Sequence, residues 1–476
     1  MRRQAKIIAT IGPVTNSMEQ LHELIEAGMD VARINMSHGT HDDHRQVFQD
    51  LRTASKSVNK SIGILLDLRG PKIRTGETID GMPVQIKPGV KLILTREPVL
   101  SSPSRIHVNH SYLAKDLKKG NTVLIDDGRI ELKVTKVLGE EIETEVLNGG
   151  LLGPKKGVNF PGVRLSAPAL TPKDLQDLAF GLNLGVDAIA LSFIRHPSNI
   201  KTLRKAISDT SPVRETIPII AKLERPEALD YLPEILDQAD GVMVARGDLG
   251  VEVSPEKVPS IQKQIIHQAI RKRKIVITAT QMLESMIHNP RPSRAEASDV
   301  ANAIFDGSDA VMLSGETAIG EYPIQTVRTM ERIILDAESH TQEWGLQTPL
   351  LEKETKDDAI ATTQAARELA EDRKAQAIAV FTRSGRTARY MANARPRVPI
   401  LAFTPEEETY HQMAFLWGVE PHLVSMAHSV EEMIQRVEKA LISSNQISRG
   451  EQVVIVASLP IGAMGPANFN LLHTIK

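Results

Sequence analysis

The chain has 476 residues, too many for one ordinary core, so two or three domains are expected. Its 57 Lys plus Arg against 59 Asp plus Glu leave a formal charge of −2, which excludes the basic excess of a non-specific nucleic-acid binder. The absence of cysteine excludes a disulfide scaffold and thiol chemistry, and no run of about 18 apolar residues offers a membrane span. The opening MRRQAKIIATIGP has no long apolar stretch ending in a small-residue cleavage site, so a cytoplasmic chain is expected.

In chain order, short apolar runs alternate with capped helical segments. The runs are Ala5–Gly12, Asp30–Ser37, Ser61–Leu68, Ala188–Phe193, Pro218–Glu224, Gly241–Gly250, Lys274–Met282 and Ala310–Thr317. Continuous apolar character means that both strand faces are buried, as in parallel strands under helices. Asn16 before Glu19, Thr40 before Asp42 and Asp43, Thr171-Pro172 and the box Ser293-x-x-Glu296 predict helix starts. Eight strands alternating with helices predict a (β/α)8 TIM barrel, an α/β fold.

One gap is too long for a βα unit. From Gly70 to about residue 165 the chain is rich in Val, Ile and Thr, with turn signals at Pro88-Gly89, Lys119-Gly120, Asp127-Gly128 and Asn148-Gly149-Gly150. An all-β lid domain over 70–165 is predicted, inserted in a barrel made of 1–69 and 166–344. Removing it leaves roughly 240 barrel residues, against about 250 for a typical example. Past about 345 the period changes again. A helix near Asp357–Glu371 and strands Ala377–Thr382, Pro399–Thr404, Val419–Val424 and Gln452–Ser458 predict a C-terminal open α/β domain over 345–476.

Polar residues gather where the barrel runs finish: Arg33, Asn35 and Ser37, then Asp67, Lys222 and Glu224, Arg246 and Asp248, Thr280 and Gln281, Ser314 and Glu316. A barrel's active site lies at this face. Glu224 and Asp248, on adjacent strands, suit a Mg²⁺ ion otherwise held by water and substrate. Arg33, Arg74 and Lys222 offer a cationic clamp, and Lys155-Lys156-Gly157 of the insertion is placed to close over phosphates. Without a Cys nucleophile or a Ser–His–Asp signature, positioning and electrostatics would do the work, as phosphoryl transfer requires.

These blocks resemble the pyruvate kinase family along nearly the whole chain. They are TIGP (Thr10–Pro13), ARINMSHG (Ala32–Gly39), LLDLRGPKIRTG (Leu65–Gly76), KKGVNFPG (Lys155–Gly162), LSFIR (Leu191–Arg195), AKLERPEA (Ala221–Ala228), ARGDLGVE (Ala245–Glu252), ATQMLESM (Ala279–Met286) and MLSGETA (Met312–Ala318). The resemblance implies transfer of a phosphoryl group from phosphoenolpyruvate to ADP, giving pyruvate and ATP with Mg²⁺ or Mn²⁺, in a homotetramer. Lys222 would stabilise the transferring group, and Glu224 and Asp248 would hold the metal. The N–H groups of Gly247 and Asp248 and the Thr280 hydroxyl would receive the substrate carboxylate, and Arg33 would contact its phosphate. Arg74, Lys156, His38 and Pro13 would approach the nucleotide. Asn35, Ser37, Asp67 and the Leu68 carbonyl match the family's monovalent-cation pocket. Many members read DTKGPEIRTG where this chain reads Asp67-Leu68-Arg69-Gly70-Pro71-Lys72-Ile73-Arg74, so Lys72 replaces a Glu. Its ammonium would supply the charge that K⁺ supplies elsewhere, making K⁺ dispensable.

Phe381–Ala388 (FTRSGRTA) places Thr382, Ser384, Gly385 and Thr387 at a helix start with Arg383 and Arg386 nearby, an anion site by its chemistry. In the family this loop looks like the site of a phosphorylated effector. A capped helix without a ligand is the plainer reading. His38, His41 and His44 with Asp42 and Asp43 form no closed ligand set, and their place in a first helical turn reads as dipole complementation. The run Arg271-Lys272-Arg273-Lys274 reads as a helix C-terminus. Two other functions are open at this point: a catalytically silent phosphometabolite sensor, and a metal-dependent lyase acting on pyruvate or phosphoenolpyruvate.

Overall fold

The apolar runs become strands because both of their faces are covered. The computed structural model describes residues 2–345, 355–443, 447–461 and 465–476. Eight parallel strands, β1 (Lys6–Thr10), β2 (Val31–Asn35), β3 (Gly63–Leu68), β4 (Ala188–Leu191), β5 (Ile219–Leu223), β6 (Gly241–Ala245), β7 (Ile275–Ala279) and β8 (Ala310–Leu313), close into a barrel in the order β1-β8-β7-β6-β5-β4-β3-β2. Lys6 pairs with Ala310 to seal the ring. Alternate residues point inward, and Ile8, Leu65, Ile220, Met243, Ile277 and Met312 fill the interior. Their neighbours Ile7, Ile64, Ile219 and Val276 face the helices outside.

Thr40, Thr171 and Ser293 each cap a helix reciprocally with the acid three residues on. The first helix starts one residue later than expected. Ser17, not Asn16, is its cap, because the Ser17 hydroxyl reaches the Gln20 N–H. The sixth run also divides. The strand stops at Ala245 and Arg246–Glu252 forms a short helix, α1, so Arg246 and Asp248 stand on a helical turn and not at a strand end. The turn is held from outside, by Arg246 Nη1 on Asp299 Oδ1 at 2.7 Å and by the Gly247 N–H on Thr280 Oγ1 at 2.7 Å.

Between β3 and the helix Pro172–Leu184 lies a β-rich insertion with a six-stranded sheet, whose own core holds Leu92, Leu132, Ile142 and Phe160. It also includes short helical turns at Ile79–Gly81 and Leu113–Asp116, so it is not wholly β. Asp116 staples the insertion to its exit, receiving the Ser166 hydroxyl at 2.6 Å and lying 2.7 Å from His110 Nε2.

The start of the C-terminal domain, expected at 345, adjoins 346–354, which lie outside the described residues. The helix Asp358–Asp372 leads to strands β9 (Ala377–Phe381), β10 (Ile400–Thr404), β11 (Val419–Leu423), β12 (Gln452–Ala457) and β13 (Phe469–Thr474), ordered β11-β10-β9-β12-β13. β13 has no counterpart among the runs expected from the sequence. It is an antiparallel edge strand, only half-buried, so it lacks the continuous apolar run of the others.

This domain caps the bottom of the barrel. Phe415 packs so closely on Gly63 that a Cβ there would lie 2.6 Å from its ring. Lys6 Nζ donates to the Val419 carbonyl at 2.7 Å, and Arg395 reaches Asp309 at 2.7 Å. His411 is buried in this contact, and burial, together with Arg52 and Lys56, pushes its imidazole down to about 3. The unfolded chain binds that proton near pH 6.5, so between about pH 6.5 and 3 the unfolded state holds more protons and stability falls as pH falls. We expect His411→Gln to flatten the decline of Tm between about pH 6.5 and about 4.5. Equal slopes for the two proteins in scanning calorimetry would contradict this.

Candidate active site

The site is built from residues at the C-terminal ends of the strands and just beyond. Lys222, near the end of β5, is buried with its ammonium 2.8 Å from Ser192 Oγ, 2.9 Å from Glu224 Oε1 and 3.2 Å from Asp67 Oδ1. Burial alone would lower its pKa, but Asp67 and Glu224 outweigh that and hold it above the ordinary lysine value. Asp67 Oδ2 accepts from Arg33 Nε at 2.7 Å, and Arg33 Nη1 donates to Thr10 Oγ1 at 3.0 Å. Burial would raise Asp67; Lys222 and Arg33 keep it below the usual carboxylate range.

Glu224 is held differently. Its Oε2 accepts the Phe193 N–H at 2.7 Å, from a residue in left-handed backbone with φ 54°. Burial pushes this carboxyl up, and the charge of Asp248 pushes it further, against the pull of Lys222. A buried carboxylate whose ionisation a second carboxylate makes costlier suits a divalent cation between the two. Thr280 also has φ in the left-handed region, at 69°, which a β-branched residue rarely adopts. That twist turns its hydroxyl toward α1, where it accepts from the Gly247 N–H and donates to the Ala279 carbonyl at 2.6 Å.

Two cavities meet here. One, of about 100 Å³, is lined by Arg33, Asn35, Ser37, His38, Asp67, Leu68, Lys222, Glu224 and Thr280 among others. The second, of about 220 Å³, lies under the insertion between Arg74, Lys155 and Lys156 on one side and Arg195 and Arg225 on the other. Lys72, Phe193 and Asp248 line both and form the wall between them. Most of the sequence-predicted residues are therefore brought together. Pro13 and Gly247 line neither cavity: Pro13 is exposed in the turn after β1, and the Gly247 N–H is turned to Thr280 Oγ1. The Lys156 ammonium is engaged by Asp126 at 2.9 Å. His38 is exposed, and partial burial and the cations Arg74, Lys72, Arg33 and Arg69 lower its pKa.

Around the expected monovalent-cation pocket, Asn35 Oδ1 accepts the Ser37 N–H at 3.1 Å, the Leu68 carbonyl accepts the Ser192 hydroxyl at 2.8 Å, and Asp67 serves Arg33 and Lys222. Among the described residues no hydrogen bond or ion pair engages the half-buried Lys72 ammonium. Sequence reasoning missed Ser192, which lies in the LSFIR block and bridges Lys222 to Leu68, and it missed Arg225 and Glu252. Among the described residues no group of three or more His, Cys, Asp or Glu side chains is placed to hold a metal ion, and His41, after β2, pairs with Asp177 at 2.8 Å.

In the C-terminal domain a cavity of about 370 Å³ opens between Thr382, Arg383, Ser384, Arg386 and Thr387 on one side and Ser425, Met433 and Pro466 on the other. Gly385, at φ 75°, caps the helix α2 (Arg386–Ala394). Arg386 pairs with Asp357 at 2.9 Å and Arg383 with Glu406 at 3.1 Å.

The fold and this site define a class: (β/α)8 barrels with a β-rich insertion after the third strand and a mouth lined by cationic side chains around two carboxylates. The family model for the pyruvate kinase barrel domain matches residues 2–327, and that for the pyruvate kinase alpha/beta domain matches 360–473. A pyruvate kinase from Mycobacterium intracellulare is 44% identical over 475 residues, covering 100% of this chain and 99% of the relative. One from Geobacillus stearothermophilus is 43% identical, covering 100% of this chain and 81% of that protein. The solved structure of a pyruvate kinase from Cryptosporidium parvum superposes with a TM-score of 0.92 at 35% identity, covering 100% of this chain and 96% of that one. The chain belongs to the pyruvate kinase family.

Proposed function

We propose that the protein transfers the phosphoryl group of phosphoenolpyruvate to ADP, giving pyruvate and ATP. The observation that carries this is the Lys222 ammonium, fixed by Ser192, Asp67 and Glu224 beside Asp248 at the barrel mouth. Glu224 and Asp248 would hold Mg²⁺ or Mn²⁺, which when bound supplies positive charge to phosphate and enolate oxygens. Arg33 receives the phosphate of phosphoenolpyruvate, and Lys222 meets the charge that develops on the transferring group. The N–H groups of Gly247 and Asp248 and the Thr280 hydroxyl orient the substrate carboxylate, which displaces the Gly247–Thr280 hydrogen bond. Arg74 and Lys156 take the nucleotide in the larger cavity under the lid, Lys156 exchanging Asp126 for phosphate, and His38 approaches it from the smaller cavity. Barrel 1–69 and 166–344, lid 70–165 and regulatory domain 345–476 are the functional units, in a cytoplasmic homotetramer. A coupled assay for pyruvate from phosphoenolpyruvate, ADP and Mg²⁺ tests the reading. The sensor and lyase readings gain no support: the lysine–carboxylate set is intact and a lysine-bearing lid covers it.

Asn35, Ser37, Asp67 and Leu68 form a pocket whose positive charge Lys72 provides, so K⁺ is not needed. Its oxygens already accept protein hydrogen bonds, and Lys72 lines the same cavity.

Thr382, Ser384, Gly385, Arg386 and Thr387 bind a phosphorylated effector at the start of α2, the phosphate competing with Asp357 for Arg386. Screening sugar phosphates and nucleoside monophosphates at sub-saturating phosphoenolpyruvate finds the activator. We expect Ser384→Glu to abolish that activation, because it sets a carboxylate against the phosphate. Activation that survives unchanged would place the site elsewhere.

A further inference from the structure

Arg225 follows Glu224 in the chain and is buried, at 3% exposure. A buried guanidinium has to be paired, and its partners come from three places. Nη1 pairs with Glu252, Nη2 donates to the Val163 carbonyl at 2.9 Å, and Glu227 lies 3.1 Å from Nη2. Glu252 is the last residue of α1, four residues after Asp248, and so lies on the same face of the same turn. Its side chain is fully buried, and Oε1 accepts from Asn159 Nδ2 of the lid at 2.9 Å as well as from Arg225. Its Oε2 is buried and has no hydrogen-bond partner among the described residues. Arg195 reinforces the grip from the loop after β4, reaching the carbonyls of Leu165 and Ala167.

One ion pair therefore touches three bodies: the end of β5 beside Glu224, the turn that carries Asp248, and the lid's return segment at 159–163. We propose that Arg225 and Glu252 are positioning residues, a joint through which the lid's seat sets the separation of the two metal-binding carboxylates. This rests on the assignment of Glu224 and Asp248 to a divalent cation. Docking the lid through Asn159 holds Glu252; Glu252 holds Arg225 and α1; the Glu224–Asp248 gap is fixed as a consequence. Loosening the lid end of the joint loosens the metal site without touching either ligand.

The test is Mn²⁺ binding to the free, full-length protein, read by electron paramagnetic resonance, with melting curves to check folding. We expect Glu252→Gln to weaken Mn²⁺ about tenfold, because it removes the charge of the ion pair, and Asn159→Ala about threefold, because it removes one hydrogen bond from a neutral donor. The double variant should be no weaker than Glu252→Gln, since Asn159 acts through Glu252. Glu227→Gln, which removes the charge of Arg225's other acidic partner, should change Mn²⁺ affinity less than about twofold. Additive losses, or a Mn²⁺ affinity unmoved by Asn159→Ala, would overturn the joint. Asn159 is only half-buried, so its variant decides even where Glu252→Gln fails to fold. A wild type that makes pyruvate but binds no Mn²⁺ would overturn the metal assignment and the joint with it, leaving the phosphotransfer reading standing.

Discussion

Lys222→Met is expected to lower kcat about 10²–10³-fold while leaving KM for phosphoenolpyruvate within about threefold. The ammonium is held by Ser192 and Glu224 before any substrate arrives, so little of its attraction is spent on ground-state binding. Its charge counts most when negative charge gathers on the transferring group. Removing it also strips a partner from two buried carboxylates. Asp67 keeps Arg33 and Glu224 keeps the Phe193 N–H, so the fold should survive with a lowered Tm. Lys222→Arg keeps the charge but not its point-like placement, and it should also be slow. Steady-state kinetics beside circular-dichroism melts separate the effects; a folded Lys222→Met with normal kcat would remove Lys222 from the mechanism.

Near-full activity is expected when tetramethylammonium replaces K⁺ at matched ionic strength, and Lys72→Glu should create a K⁺ requirement. Lys72 lines the cavity that holds Asn35, Ser37, Asp67 and Leu68, and its stem enters from the chain segment leading into the lid. Two unit charges 4 Å apart exchange ~4 kcal/mol at an effective dielectric of 20, so reversing this charge should slow the K⁺-free enzyme by about tenfold or more. Added K⁺ would then recover most of the rate. A wild-type rate that collapses without K⁺ and returns on adding it would defeat the assignment.

The sequence by itself determined the barrel, its insertion and the C-terminal α/β domain. Strands buried on both faces must be apolar throughout, as KIIAT and IIAKL are, and helices that start in solvent need local caps such as Thr40, Thr171 and Ser293. Lys222, Glu224 and Thr280 were legible because a charged or hydroxyl residue ending an apolar run has to face the open mouth. Tertiary structure decided what depends on partners distant in the chain. β6 ends at Ala245 and Asp248 stands on a helical turn held by contacts from outside it, Asp299 and Thr280 among them. Only the fold shows that Arg225 meets Glu252 and the lid, that Asp126 engages Lys156, and that Pro13 stands away from both cavities. Local sequence sets which face of a segment is buried, through propensity and periodicity. Which charge answers which is set by closure of the barrel, because the Coulomb energy of a buried pair depends on distances that no spacing along the chain encodes.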